Sequence, residues 1–571
     1  MPAALSCRGV EVCADSATAP ILSNIQASFP AQSLNALVGP SGCGKTTLLK
    51  AVLGLVEYSG DVEFGHRHKQ HASSSGEITP GFVPQFSVAH ANLSVAESLY
   101  YALQLKVGAV SADDADAIVA RILNLVGLET MRDSWVAGLS GGQLRRLGLG
   151  LELVGEPDLL LCDEVTSGLD PLSEDAIIAL LRSLVEADGK TFVCTIHNLS
   201  KLPEFDHITV LYRGHLVFQG DFAELKRWFS ITDPLKLYHA LATMPVEQWA
   251  KRWQQSGHNP NPDTMANEGA MDCVAHAPQL AAVENPRRAS FMSQVFTLLA
   301  RRFRLLGRDT GYLWLLIALT FGFPCIVVIF ALKGLPQIEG LALERSGGVV
   351  EQLQGDIRYQ MEAAETAALV TGLIMFQVVL LTLMGANNGA REIGSERQIY
   401  EKEKLRGLRW QAYATSKFIF TGSIALFQGL WMALFVKVIC QFPGPWAMQL
   451  LLMALCAIAM SWICLGLSAL MRSPEKASLL SIYLVGFQLP LSGIVLALPD
   501  TVVWILRPFI NAYWSWAGFF SSMKTYSIYD AYRMGAVEWL PSPAFAATML
   551  GLHCVLAWVF VSIGCRRRQW G

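Results

Sequence analysis

The sequence has 571 residues, of which 52% are hydrophobic and 16% charged, and its net charge is −3. A typical soluble domain carries about 25% charged residues, so the chain is either a very apolar globule or a membrane protein. The balanced charge gives no electrostatic reason to expect a nucleic-acid partner. The length exceeds the roughly 250–300 residues at which one hydrophobic core stops growing, which predicts several domains.

Charge is distributed unevenly along the chain. Residues 1–300 carry charge at ordinary density, whereas residues 311–571 consist of long apolar runs separated by short charged stretches. The 12 cysteines show neither CxxC pairs nor Cys/His metal spacing, so we expect reduced, buried thiols. Residues 1–16 lack a basic start followed by an apolar stretch. They are therefore not expected to be a signal peptide, and the first domain is expected in the cytosol.

The first motif is a glycine-rich loop between a predicted strand, residues 34–38, and a predicted helix, residues 48–53. Glycines let backbone N–H groups converge on phosphates, and the helix N-terminus adds partial positive charge. We expect Lys45 to reach the β and γ phosphates of a nucleotide and the Thr46 hydroxyl to ligate Mg²⁺. The whole loop is predicted to bind the cofactor: Gly39, Pro40, Ser41, Gly42, Cys43, Gly44, Lys45, Thr46 and Thr47.

A second motif separates this chain from other proteins with phosphate-binding loops. Leu139 is followed by Ser140, Gly141, Gly142 and Gln143 and then by a predicted helix, which makes another anion site at a helix N-terminus. By itself the motif could be an exposed N-cap. Beside a phosphate-binding loop it resembles the signature sequence of ATP-binding cassettes. In that family this segment faces the γ-phosphate held by the opposite subunit.

Two carboxylates follow a predicted buried strand, Leu159–Cys162. A carboxylate at the C-terminal end of a strand projects into the ligand crevice of an α/β sheet. Asp163 therefore suits Mg²⁺, bound directly or through water. Glu164 suits a general base that polarises the attacking water.

Three further segments occur in the order that the cassette family shows. Residues 167–170 match the D-loop, His197 lies at the position of the switch histidine, and Gln85 matches the Q-loop glutamine that senses Mg²⁺. The resemblance implies catalytic roles for Glu164, His197 and Gln85, with ATP and Mg²⁺ as cofactors and Thr46, Gln85 and Asp163 around the metal. Many family members stack an aromatic residue on adenine. Residues 10–14 contain none, so the sequence leaves open how adenine is held.

The predicted domains are a cassette at 1–230, a cytosolic linker at 231–290 with some helix around Pro245–Gln255, and a transmembrane domain at 291–571. Each of six apolar stretches is near the ~20 residues that span a bilayer. They lie at about 312–332, 367–386, 414–439, 446–470, 477–498 and 545–565. Basic residues crowd before the first span, between spans 2 and 3 and after the sixth, so we expect both termini and the cassette in the cytosol.

Two segments beside the spans have predicted roles. Residues 291–308 form a predicted amphipathic helix at the membrane surface. Its apolar residues Phe291, Val295, Leu298, Leu299 and Leu305 would face the membrane, and its arginines Arg301, Arg302, Arg304 and Arg308 would face headgroups. Residues 391–408, which we call the coupling segment, carry both charges at helical spacing. Their place between spans 2 and 3 favours contact with the ATPase.

Cassette first and six spans second resembles the G-type (White-like) half-transporters of the ABC superfamily. The motifs at 39–47, 139–154 and 159–171 carry the resemblance, and residues 308–313, 396–404 and 491–499 add support. It implies an α/β P-loop NTPase followed by an all-α six-helix transmembrane domain. It also implies ATP-driven export of lipid-like or amphipathic hydrophobic substrates by a dimer of half-transporters in a lipid membrane. Intact catalytic motifs favour a homodimer over a heterodimer.

The family also implies where a substrate binds. Its cavity lies on the dimer axis between spans 2 and 5, which here suggests Leu380, Met384, Phe487 and Leu489, with Ile494 and Val495 at the plug of the outer path. Gln377, Gln428 and Gln488 either line a polar path or bond helices together. A regulatory or mechanotransmitting membrane ATPase that acts on a partner protein remains the alternative. The outer segment 499–544 lacks cysteines that could form the disulfides of animal members of the family, so the resemblance favours a bacterial inner membrane over a eukaryotic plasma membrane.

Overall fold

The computed structural model describes residues 3–13, 20–65, 80–85, 89–108, 110–256, 289–331, 349–492, 499–526, 529, 532 and 540–567. The chain divides into two compact units, Met1–Ala289 and Ser290–Gln569. The strands described in the first unit are β1 (Ala3–Cys13), β2 (Pro20–Pro30), β3 (Leu34–Val38), β4 (Ser59–Phe64), β5 (Pro80–Val83), β6 (Leu159–Cys162), β7 (Thr191–Thr195), β8 (His207–Tyr212) and β9 (His215–Gly220). Its helices are α1 (Lys45–Val52), α2 (Val95–Lys106), α3 (Ala112–Leu125), α4 (Gly141–Leu153), α5 (Pro171–Asp188), α6 (Phe222–Phe229), α7 (Leu237–Leu241) and α8 (Val246–Gln255).

The first unit contains two sheets. The larger has the strand order β5-β6-β7-β3-β8-β9, in which β9 is antiparallel to β8 and the other neighbours are parallel. Every residue of β3, β6 and β7 is buried, as expected for parallel strands covered on both faces. The smaller sheet, β2-β1-β4, is antiparallel. Since parallel strands end at one edge, the loops that follow β3, β5, β6 and β7 meet there.

Residues 231–256, predicted as the start of a linker, are folded onto the first unit as α7 and α8. Leu237 and Leu241 of α7 are fully buried. In α8, Trp253 packs against Phe218 of β9 with ring centroids 5.7 Å apart, and Trp249 packs against Phe229 at 5.0 Å. Burying these large aromatic rings removes much apolar area from water. The segment is therefore packed as part of the first unit and is not a solvated linker. Residues 257–288 lie outside the described residues.

The second unit is helical in the residues described. Its helices are α9 (Phe291–Arg308), α10 (Thr310–Ala331), α11 (Val349–Gly389), α12 (Arg397–Leu405), α13 (Trp410–Cys440), α14 (Trp446–Leu470), α15 (Pro474–Gln488), α16 (Asp500–Leu506), α17 (Asn511–Ser521) and α18 (Pro543–Arg566). Within the described ranges, α10, α11, α13, α14 and α18 are long and apolar enough to cross a membrane. The predicted fold class, an α/β cassette followed by a helical membrane domain, is confirmed.

The predicted fifth span, 477–498, is shorter as a helix than expected. Helix α15 ends at Gln488, and a 3₁₀ turn covers Pro490–Ser492. Residues 493–498 lie outside the described residues. The next helices, α16 and α17, are short, and Gln488 Oε1 accepts a hydrogen bond from the Ala512 N–H at the start of α17. The end of α15 thus caps the beginning of α17.

Glycines let the long helices of the second unit approach closely. A Cβ on Gly385 of α11 would lie 2.7 Å from the Ala457 oxygen of α14, and one on Gly389 would lie 2.1 Å from the Ser461 oxygen. Helices in lipid associate through such small residues because tight packing, rather than a hydrophobic drive, holds them together. Helix α14 therefore lies directly against the backbone of α11.

The predicted orientation of α9 was wrong. Val295, Leu298 and Leu305 are buried within the unit, not turned to the membrane. Arg301 and Arg302 point inward, because Glu403 and Glu392 supply carboxylates there. The exposed apolar side chains of α9 are instead Met292, Phe296 and Phe303.

Candidate active site

Four parallel strands deliver the predicted catalytic side chains to one edge of the larger sheet. The glycine-rich loop follows β3, and Gln85 lies two residues after β5. Asp163 and Glu164 directly follow β6, and His197 lies two residues after β7. The register pairs Cys162 at the end of β6 with Cys194 of β7, so their following loops are neighbours.

The glycine-rich loop wraps closely around the start of α1. A Cβ on Gly39 would lie 2.1 Å from the Leu211 backbone oxygen, and Gly44 has a φ of 102°, in the left-handed region that favours glycine. Lys45 is buried, and its ammonium donates to the Gly39 oxygen at 2.8 Å and to the Pro40 oxygen at 3.2 Å. The loop therefore holds the lysine head beside the N-terminus of a helix, a position suited to phosphate.

Asp163 is held by two hydroxyl groups. Thr46 Oγ1 and Thr195 Oγ1 each donate to Asp163 Oδ1 at 3.1 Å. Burial raises the pKa of Asp163, and the two hydroxyl hydrogen bonds act in the opposite direction. A carboxylate beside a threonine hydroxyl gives the oxygen donors that Mg²⁺ prefers, so these residues fit the ion.

Glu164 joins Gln85 and His197 in one cluster. Gln85 Nε2 donates to Glu164 Oε2 at 2.6 Å, and His197 Nε2 lies 2.6 Å from Glu164 Oε1. The Glu164 backbone has a φ of 51°, and its N–H donates to Thr195 Oγ1 at 2.6 Å. A non-glycine residue held at positive φ stores strain of the kind found at functional sites. The carboxylate is fixed yet still reaches solvent, as a base acting on water requires.

The signature motif lies apart from this cluster. Ser140 is exposed and caps α4, with its hydroxyl accepting from the Gln143 N–H at 3.3 Å and its own N–H donating to Gln143 Oε1 at 2.9 Å. Gly142 lies near Ser173 at the start of α5. In the hydrogen bonds described for the first unit, Ser140 bonds within its own turn. The signature motif thus forms a solvent-facing helix N-terminus, made of Ser140, Gly141, Gly142 and Gln143.

Three residues beside the site were missed in the sequence. Thr195 donates to the Asp163 carboxylate and accepts from the Glu164 backbone N–H, and its place at the end of a buried strand could have identified it. Burial lowers the pKa of Arg145 of α4, and the carboxylates of Glu164 and Asp163 act in the opposite direction. Its guanidinium donates to the Pro84 and Ser167 oxygens at 3.5 Å. Tyr238 Oη donates to the Gly39 oxygen at 3.1 Å. It lies 199 residues away along the chain, so no local pattern could have revealed it.

The predicted substrate residues do not share one surface. Leu380 and Met384 of α11 are buried in the core of the helical unit. Phe487 of α15 is 55% exposed, whereas Leu489 is partly buried against that core. The remaining two, Ile494 and Val495, lie outside the described residues.

The membrane glutamines join helices. Gln377 Nε2 of α11 donates to the Met432 oxygen of α13 at 3.3 Å. Gln428 of α13 accepts from Asn388 Nδ2 at 2.7 Å and donates to Thr320 Oγ1 of α10 at 3.1 Å. These bonds favour the interhelical interpretation over a polar path.

In the hydrogen bonds described, the coupling segment, residues 391–408, is joined to five other helices: α9, α13, α14, α15 and α18. Glu392 takes a two-pronged ion pair from Arg302 of α9 and a bond from Lys417 Nζ of α13 at 2.9 Å. Tyr400 Oη and Lys404 Nζ donate to the Cys565 oxygen at the C-terminal end of α18, at 2.8 and 2.9 Å. Cationic and hydroxyl donors at a helix C-terminus satisfy carbonyls that lack partners within the helix.

Comparisons with known proteins agree with both units. Residues 22–167 match the family model described as ABC transporter, and residues 293–518 match that described as ABC-2 type transporter. An ABC transporter ATP-binding/permease protein of Mycobacterium tuberculosis is 29% identical over 474 residues, which are 81% of this chain and 50% of that protein. ABC transporter G family member 25 of Oryza sativa subsp. japonica is 36% identical over 208 residues, or 34% of this chain and 20% of its own. The chain thus spans half or less of the length of these relatives.

A solved structure of a metal-chelate type ABC transporter in an inward-facing conformation covers 42% of this chain and 90% of its own, at 22% identity and a TM-score of 0.36.

Proposed function

Because the chain belongs to the ABC transporters and has the cassette-first order of the G-type half-transporters, we propose that it hydrolyses ATP to export lipid-like or amphipathic hydrophobic molecules. The observation that carries the ATPase proposal is the Glu164 cluster. One carboxylate is held by Gln85 and His197, next to the Thr46–Asp163 pair and the glycine-rich loop. The residues proposed as general base, metal ligands and phosphate cradle lie at one sheet edge, and this arrangement supports phosphoryl transfer to water.

Each residue has a proposed task. The loop N–H groups and Lys45 bind the phosphates. Thr46 and Asp163, with Gln85 nearby, hold Mg²⁺, which supplies charge neutralisation for the phosphate oxygens when bound. Glu164 accepts the proton of the attacking water. His197 orients the Glu164 carboxylate from the opposite side to Gln85.

We further propose that two copies of the chain work together. Ser140 caps an exposed helix start with backbone N–H groups available for an anion, and it does not contact the loop of its own cassette in the bonds described. A second cassette would place its nucleotide against Ser140. A homodimer is favoured because this chain carries the complete motif set, and a related half-transporter is the alternative partner. The cassettes and both termini are proposed to lie in the cytosol, in a bacterial inner membrane in preference to a eukaryotic plasma membrane.

The substrate proposal rests on the family layout and on the exposed apolar side chains of α15. Helix α15 exposes Leu479, Ile482, Tyr483 and Phe487. A surface of this kind suits flat or amphipathic molecules better than sugars or ions. Leu380 and Met384 are buried in the core of the helical unit and are not part of this exposed surface.

Two variants of the purified, membrane-reconstituted chain test the ATPase proposal. Lys45→Ala should abolish hydrolysis with folding retained, and Lys226→Ala in α6 is the control for removal of a lysine. Glu164→Gln should bind ATP without hydrolysing it and accumulate a closed dimer. Single cysteines at Ser140 and Ser41, in a cysteine-free background, should then crosslink when ATP is added. Hydrolysis by Lys45→Ala near the control rate would exclude the assigned phosphate site, and no ATP-dependent crosslink would exclude the dimer.

Transport needs a separate measurement. Proteoliposomes of the wild-type chain are tested for substrate-stimulated ATPase and uptake across a panel of lipids and amphipathic drugs, with Lys45→Ala as the blank. Stimulation and ATP-dependent movement of one class would support export. Robust ATPase without movement of any panel member would favour the mechanotransmitting alternative.

A further inference from the structure

Helix α7 turns back to the nucleotide loop from beyond the motifs of the cassette. Tyr238 Oη donates a 3.1 Å hydrogen bond to the backbone oxygen of Gly39, the first residue of the loop. Leu237 and Leu241 on either side of the tyrosine are fully buried and anchor α7 in the first unit. The hydroxyl is therefore delivered by a packed helix, not by a mobile loop.

The Gly39 oxygen is also the acceptor that holds Lys45. The lysine ammonium donates to Gly39 at 2.8 Å and to Pro40 at 3.2 Å. An ammonium has three N–H donors, so these two bonds leave one for a phosphate. A carbonyl oxygen has two lone pairs, and here Lys45 and Tyr238 each take one. Because Lys45 donates to the Gly39 carbonyl, a group that holds this carbonyl in place also helps to hold the Lys45 ammonium in place.

Tyr238 remains a donor at neutral pH. Burial raises the pKa of the phenol, and proximity to Cys43 raises it further, against the lowering effect of its bond to Gly39. The protonated hydroxyl can therefore donate throughout the range in which the enzyme is expected to work.

We infer that Tyr238 is a positioning residue of the nucleotide site, whose hydroxyl holds the Gly39 carbonyl that orients Lys45. The inference rests on the proposed ATPase function. Tyr238 lies outside residues 22–167, the part matched by the ABC transporter model. Nucleotide affinity is thus set in part by the chain that leads toward the second unit.

The test removes the Tyr238 hydroxyl and keeps its aromatic ring. In the full-length chain in nanodiscs, Tyr238→Phe should raise the KM for ATP by about two- to ten-fold, the worth of one neutral hydrogen bond, with kcat unchanged. Tyr101→Phe, at a buried tyrosine of α2, is the matched control and should leave KM unchanged. Thermal unfolding of the same samples reports whether the ring still packs.

Equilibrium binding of a fluorescent ATP analogue separates positioning from packing. Because Tyr238 acts through Lys45, Tyr238→Phe should weaken binding in the wild-type background and add nothing in a Lys45→Ala background. An equal loss in both backgrounds, or unchanged binding in the wild type, would overturn the inference. A lower thermal midpoint with unchanged KM would also overturn it, in favour of packing. Failure of the ATPase proposal is seen separately, as hydrolysis that survives Lys45→Ala.

Discussion

Removing one partner of the Arg301–Glu403 ion pair should destabilise the second unit far more than removing both. Arg301 of α9 and Glu403 of α12 form a two-pronged pair, with Nη2 and Oε2 3.0 Å apart and Nη1 bonded to Oε1. Their side chains are only 6% and 11% exposed. A buried charge that loses its partner keeps its desolvation cost without the compensating attraction.

The magnitude follows from this burial. Breaking such a pair costs about 3–5 kcal/mol, whereas replacing both partners by apolar residues of similar size is about neutral or stabilising. In a domain of roughly 150–250 residues, 1 kcal/mol moves the unfolding midpoint by about 2–4 °C. We therefore expect Glu403→Met alone to lower the apparent midpoint by about 6–20 °C. Arg301→Met with Glu403→Met should recover most of that loss.

The assay heats the detergent-solubilised chain and measures the fraction that stays monodisperse by size-exclusion chromatography. Membrane proteins commonly unfold irreversibly, so the midpoint is an apparent one and is compared at one heating rate. Glu63→Met is the control, because its pair with Arg8 is 55% and 51% exposed. Exposed pairs contribute at most about 1 kcal/mol, so this change should move the midpoint little.

Two results would refute the reasoning. If the double variant were as unstable as the worse single variant, the loss would come from packing of the long side chains and not from an unpaired charge. If Glu403→Met behaved like Glu63→Met, the pair would be solvated in the protein and its burial irrelevant to stability.

Three other changes have expected outcomes. Thr195→Val removes a hydrogen bond that lowers the pKa of Asp163, so the pKa of Asp163 should rise. Protons should then compete with Mg²⁺ at higher pH. The acid limb of the pH profile of the Mg²⁺-dependent ATPase activity should therefore shift to higher pH. Gly389→Ala should lower the thermal midpoint, because its methyl would meet the α14 backbone, whereas Gly372→Ala, with no described atom within 4 Å, should not. Phe487→Ala should leave stability and basal ATPase unchanged and reduce substrate stimulation; loss of all three in proportion would assign it to packing.

The residues of the proposed nucleotide site could be predicted to lie together because each part of the site is local in the sequence. The glycine-rich loop, Asp163 and Glu164, and His197 each follow a short buried strand, and parallel strands must end at one edge. The structure brings these residues together with Gln85 at that edge. Both family models confirm the resemblance drawn from the motifs.

Long-range pairing could not be predicted in the same way. Arg301 and Glu403 lie 102 residues apart, and Tyr238 and Gly39 lie 199 apart. The spacing of apolar residues in α9 predicts that one face of the helix is apolar, but it does not show whether lipid or another helix packs against that face. With α12 and α13 packed on that face, the arginines turned inward to carboxylates, and the membrane-facing prediction failed. For the same reason, burial of Met384 in the core of the helical unit could not be seen in the apolar pattern of span 2.

In the second unit, α9, α12, α13 and α18 are joined by buried polar contacts, whereas α15 is held by fewer buried side chains. Ion pairs and carbonyl caps join the coupling segment to α9, α13 and α18. If α12 moves, either its segment's buried charge contacts break or α9, α13 and α18 move with it. Movement together costs less free energy, because breaking a buried ion pair leaves an uncompensated charge. By contrast, α15 buries only Ala477, Ser481, Val485 and Gln488, which are small or polar except for the valine. The coupling segment reaches α15 through a bond from Arg391 Nε to Ser478 Oγ at 3.3 Å, with no buried ion pair described between them, so we expect relative movement to cost less at α15 than at α9 or α13.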